Sequence, residues 1–172
     1  MRLNKLSIYE MNLTRIHEWI RAVDQKLNTF FALQGLFITF VTPFILKELQ
    51  KKFLSVDSLL FALIFVGYSL VGYGLVKCLL SLRSNLKIKG QDITEDQLSL
   101  TYFNHIQKMS LEQYRNKMKK MNSATYEQEL LGQIHISASI ATRKHRYFND
   151  ALILFTLGAL LLITGLSWLY LL

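Results

Sequence analysis

One cysteine, Cys78, and one proline, Pro43, occur in the 172 residues of this chain. A single cysteine excludes an intramolecular disulfide and any multi-cysteine metal site, and its place inside an apolar run marks it as a small buried hydrophobe. Acidic residues are scarce beside basic ones, 12 against 20, which leaves a net charge of +8. The four histidines, His17, His105, His135 and His145, have no metal-ligand spacing, and neither a Gly-x-Ser-x-Gly run nor a paired-carboxylate motif is present. Gly67, Gly72 and Gly74 are not followed by the Lys-Ser/Thr that a phosphate loop needs. These absences predict no catalytic residues, no metal site and no bound cofactor, so an enzyme is not expected.

What the chain does have is apolar residues, 51% of the total, gathered into runs. Three windows, 27–46, 59–82 and 151–172, are long enough to cross a bilayer, since about 20 residues at about 1.5 Å each match a hydrocarbon core of about 30 Å. The expected fold is an all-α membrane protein with three transmembrane helices and a mainly helical cytosolic segment between the second and third. The expected division is a cytosolic amphipathic helix at 1–26, a first span at 27–46, an external loop at 47–58, a second span at 59–82, a cytosolic sensor segment at 83–150 and a third span at 151–172. The first span does not read as a cleaved signal, because 26 patterned residues precede it and no small-x-small site follows.

Basic residues flank these spans. Five lie before the first span, three within 47–58 and eleven within 83–150. That bias predicts a multi-pass membrane protein with a cytosolic amino terminus, and it assigns the charge to the bilayer surface rather than to a nucleic acid polymer.

Within the amphipathic helix, Leu6, Tyr9, Leu13, Ile16, Ile20, Val23 and Leu27 alternate at spacings of three and four, the seam of a helix packed on other helices. Beside it His17, Arg21, Asp24 and Asn28 share one face. Further on, Gly35, Thr39 and Thr42 form a stripe suited to close helix contact, and Pro43 is expected to kink or end the helix. Gln34 and Thr39 read as helix-contact groups, with a water path as the alternative. Gly67, Val71 and Gly74 in the second span, and Gly158 and Gly165 in the third, read as small-residue seams. Lys77 is expected to reach the headgroups as an anchor.

The segment between the second and third spans carries two capping-box patterns, Ser110 with Gln113 and Thr125 with Gln128. From Thr125 the apolar pattern predicts one long helix that continues into the third span. The stretch 98–106 fits either a strand or a helix capped by Thr94, and SNLKIKGQD allows a small strand or hairpin. On the long helix Gln133, Ser137 and Lys144 form a second polar line. If the two helices pack, Arg21, Asp24, Gln133 and Lys144 become candidate contacts for a small phosphate-bearing ligand. The alternative is a solvated face with an exposed Arg21–Asp24 pair worth about 0.3 to 0.5 kcal/mol.

The runs WIRAVDQKLNTFFALQG (19–35), LTYFNHI (100–106), SLEQYRNKM (110–118) and ELLGQIHISASIATRKHRYFNDA (129–151) resemble the transmembrane effectors of bacterial Pycsar antiphage systems. The resemblance implies that a neighbouring cyclase makes cyclic CMP or cyclic UMP on infection and that the effector then damages the inner membrane, causing abortive infection. No separate cyclic-nucleotide-binding β-barrel is recognisable, so the helical segment binds the messenger directly or sensing is indirect. The lipid bilayer, the cyclic pyrimidine mononucleotide and further copies of the chain in a homo-oligomer are the expected partners. A non-signalling membrane protein, such as a holin-like toxin or an assembly partner, is the alternative.

Overall fold

The computed structural model describes residues 5–52, 57–82, 100 and 103–171. The elements are α1 (Lys5–Lys52), α2 (Ser58–Leu82), α3 (Phe103–Ile106), α4 (Leu111–Lys120) and α5 (Ser123–Leu171), with no strand among the described residues. Helices α1, α2 and α5 are each long and apolar enough to cross a membrane. The protein is an all-α membrane protein with three candidate spans. The residues on which the Thr94 cap and the SNLKIKGQD hairpin were expected lie outside the described ones. Of the ambiguous stretch, residues 103–106 are helical.

Helix α1 runs through Pro43 to Lys52, so the proline does not end it, and residues 47–52, expected in a loop, are helical. Proline fixes φ near its helical value, but it removes the bond to the carbonyl four residues earlier and crowds that carbonyl. Here Val41, Ile45 and Leu49 on either side of Pro43 are packed into the apolar core, which holds both flanking turns. The capping box on α4 is present as expected. Ser110 Oγ accepts from the Gln113 N–H at 3.1 Å, and Gln113 Oε1 accepts from the Ser110 N–H at 2.9 Å. On α5 the expected Thr125 box is replaced by Asn122, whose Oδ1 accepts from both the Thr125 N–H, at 2.8 Å, and the Thr125 hydroxyl, at 2.9 Å. A short amide three residues upstream reaches the free N–H and leaves the threonine hydroxyl as a donor.

The chain divides into two compact units, one of Met1–Arg21 with Ser84–Thr142 and the other of Ala22–Arg83 with Arg143–Leu172. The second, spanning unit is a three-helix bundle. Its α2 seam, Leu60, Ile64, Gly67, Val71, Gly74, Cys78 and Ser81, alternates at four and three without a break and is buried throughout. Two apolar clusters fill the bundle. One joins Ile45, Leu60, Ile64, Val71, Leu162 and Leu169, and the other joins Val23, Leu27, Phe30, Cys78 and Ala151.

Glycine permits the close crossing of α2 and α5. A Cβ on Gly158 would meet the Gly67 carbonyl oxygen at 2.8 Å, and one on Gly67 would meet Leu162 Cγ at 2.9 Å. Such small-residue contacts let helix backbones approach where lipid offers no hydrophobic drive for association. On α1 the stripe behaves differently. Gly35 has nothing within 4 Å of its would-be Cβ, and Thr39 is exposed. Thr42 turns inward and accepts a hydrogen bond from the Tyr68 hydroxyl at 3.0 Å. Large apolar side chains such as Phe40, Phe44, Phe65 and Leu160 point outward, the surface a lipid-facing bundle requires.

Candidate ligand site

In the first unit the early turns of α1 run alongside the early turns of α5. The Tyr126 hydroxyl donates to Glu10 Oε1 at 3.0 Å, and this bond raises the phenol's pKa above its ordinary value. Further along, Ser137 Oγ stands 3.5 Å from His17 Nε2. Ile16 and Leu130 are buried, which fixes the faces that α1 and α5 present.

A cavity of about 260 Å³ opens in this unit, lined by His105, Thr125, Gln128, Glu129, Gly132, Gln133 and Ile136. The chain turns that build it are short. Helix α3 delivers His105, and the first four turns of α5 deliver the rest, with Gly132 leaving the wall without a side chain. His105 is buried, and burial holds its imidazole below the ordinary pKa, with the Lys108 charge adding to the effect and Glu129 opposing it. The wall thus combines two amides, a hydroxyl, a neutral imidazole and a carboxylate around a concave space, a donor and acceptor set suited to a polar heterocycle or sugar.

In the spanning unit a different polar group closes one end of the bundle. Lys144 of α5 forms an ion pair with Asp24 of α1, and Lys77 of α2 pairs with Asp150 of α5 at 3.2 Å. The Lys77 ammonium also lies 5.4 Å from the ring centres of Tyr73 and Tyr147. Lys77, expected to reach the headgroups as an anchor, ties α2 to α5. The two pairs supply each buried or half-buried cation with a counter-charge, which apolar surroundings demand.

The four predicted ligand contacts are divided between the two units. Gln133 lines the cavity of the first unit, to which Arg21, an exposed residue, also belongs. Asp24 and Lys144 belong to the spanning unit and are paired with each other. Asp24 thus takes its partner from α5 rather than from Arg21 one turn away. The sequence reading did not single out His105 or Glu129 as cavity residues. His105 stood in a run of interest, LTYFNHI, but only the fold brings it to face α5. Among the described residues no group of His, Cys, Asp and Glu is arranged to hold a metal ion.

A family model described as the Pycsar effector protein domain matches residues 8–171. The chain belongs to the Pycsar effector family. The match takes in the whole bundle and the cavity together, so neither unit is an appendage to the family's domain. No curated protein and no solved structure matches the chain. Membership in the Pycsar effector family, with three membrane-competent helices, makes this a Pycsar-type antiphage effector that is a membrane protein.

Proposed function

We propose that the chain is a non-enzymatic effector of the bacterial inner membrane, amino terminus in the cytosol, that a cyclic pyrimidine mononucleotide activates and that then impairs membrane integrity, arresting the infected cell. The family match supports the effector role. The observation that carries direct sensing is the cavity beside Gln133, whose volume of about 260 Å³ suits a small ligand. In this reading Gln133, Gln128 and Thr125 hydrogen-bond the base and ribose. Arg21, Asp24 and Lys144 are further proposed ligand contacts. Lys144 serves an anionic phosphate only by leaving Asp24, so its contribution is an exchange of partners rather than a new contact.

Activation requires that the messenger prefer the active arrangement, and a shift from 1:99 to 99:1 needs a preference of about 10⁴-fold. Self-association into a homo-oligomer is part of the proposal. The outward Gly35 and Thr39 and the exposed apolar faces give the bundle surfaces on which copies can pack.

Calorimetric titration of the full chain in lipid nanodiscs with cyclic CMP and cyclic UMP tests direct sensing. One of the two should bind, and Gln133→Ala should weaken it about two- to tenfold, the effect of one neutral hydrogen bond. Arg21→Ala, which removes a charge-assisted contact, should weaken it about tenfold or more, and Lys144→Ala should weaken it less, because that contact replaces the Asp24 pair. Absence of binding by both nucleotides would overturn direct sensing.

A further inference from the structure

The interior of the spanning unit is crossed by a series of polar side chains. Ser81 ends the buried seam of α2, and its hydroxyl has no hydrogen-bond partner among the described residues. Seven residues back on α2, Gly74 faces Gln34 of α1, whose Nε2 lies 3.3 Å from the place a Gly74 Cβ would occupy. Gln34 is 0% exposed, and neither its amide nitrogen nor its amide oxygen has a partner among the described residues. Eight residues on, Thr42 is bonded to Tyr68 of α2. Six further on, Glu48 is buried and pairs with Lys51 at 2.9 Å. At about 1.5 Å per residue this ladder rises about 30 Å from Ser81 to Glu48, the thickness of a hydrocarbon core.

A glutamine amide closed off without a partner disfavours the conformation that buries it, and more so in a bilayer, where water does not compensate. A polar residue in a helix seam can fix register. That role is served best when the residue finds a partner, and Gln34 instead faces a glycine. Its seam neighbours Phe30 and Phe37 both stack edge-on against Phe155 of α5, with ring centres 5.4 and 5.3 Å apart. The rings hold α1 to α5 at this level, where α2 presents Gly74 to the Gln34 amide. Separation of α2 from α1 would admit water to Gln34 while leaving the ring stack intact.

The geometry points to a latent aqueous path between α1 and α2 within a single copy, lined by Ser81, Gln34, Thr42, Tyr68 and Glu48 and closed in this conformation. The inference rests on the effector reading and names where the membrane is breached. Gln34 acts as a spring: hydration of its amide favours the open arrangement.

The test uses the full chain in vesicles of phosphatidylethanolamine and phosphatidylglycerol, with cyclic CMP and cyclic UMP as the triggers. In a Cys78→Ala chain, Gln34→Cys should react with a positively charged, membrane-impermeant methanethiosulfonate at least about tenfold faster with trigger than without, while Thr39→Cys on the outward face should not change. In the otherwise native chain, Gln34→Leu removes the unpaired amide. It should raise the melting temperature and increase the trigger concentration needed for sodium flux by about tenfold, as expected for relief of one buried unpaired group. An unreactive Gln34→Cys in vesicles that the trigger has made permeable overturns the path, as does Gln34→Leu that fluxes like the native chain. Reaction at Thr39→Cys alone would place the breach between copies and overturn it too. Should neither nucleotide permeabilise native vesicles, the effector reading fails by itself. Labelling of Gln34→Cys under an imposed voltage then decides the path, reaction supporting it and no reaction overturning it.

Discussion

Glycines at similar helical spacings have opposite surroundings here, and single methyl groups expose the difference. An alanine methyl at Gly158 would lie 2.8 Å from the Gly67 carbonyl oxygen and 3.0 Å from the Val71 nitrogen, backbone atoms that move only if α2 and α5 separate. Gly158→Ala should therefore destabilise the bundle by about 1 to 3 kcal/mol, the usual effect of overpacking. At Gly35 nothing lies within 4 Å, so Gly35→Ala should be neutral or stabilising by up to about 1 kcal/mol through lost backbone freedom. Thermal unfolding of both variants in nanodiscs checks the contrast. Equal losses would mean that the Gly35 face is packed as tightly as the Gly158 face. The sequence showed both stripes because spacing is visible in it, but which stripe meets a neighbour depends on how the helices are rotated, and spacing alone leaves that open.

At the scale of elements, local signals were legible and partners were not. The Ser110 box on α4 could be read because both of its bonds close within four residues. The α5 cap was missed by three residues because Asn122 and Thr125 both have capping chemistry, and the backbone path selects between them. The polar lines were visible as helix faces, yet along one helix Arg21 looked like the partner of Asp24, and only the fold brings Lys144 to it. His105 joins α3 to the cavity wall on α5 and is held neutral by burial. An unfolded chain takes up a proton on this histidine as the pH falls below 6.5, its ordinary pKa, whereas the folded chain resists. Stability is therefore unaffected above that value and declines from there down to the lower pKa of the folded state. The melting temperature of the full chain in nanodiscs should drop as the pH is lowered through 6.5, and His105→Gln should reduce the drop. An unchanged drop in that variant would assign the effect to other groups.

For the whole molecule, three apolar runs sufficed to establish the class, because a helix that must satisfy its own backbone in lipid needs about 20 such residues. The long helix expected from Thr125 through the third apolar run is present as α5, and α1 is likewise continuous from its amphipathic segment through the first apolar run. The cavity was harder to foresee. It depends on a four-residue helix meeting the first turns of α5, a meeting between residues far apart in sequence that no periodicity encodes. The account of the molecule as a triggered membrane effector stands or falls on one comparison. Membrane potential should be followed in cells that carry the chain at equal level with an active pyrimidine nucleotide cyclase or with the same cyclase inactivated. The account predicts depolarisation with the active cyclase alone and tolerance of the chain with the inactive one. Equal depolarisation in both cultures would contradict it and identify a constitutive, holin-like toxin.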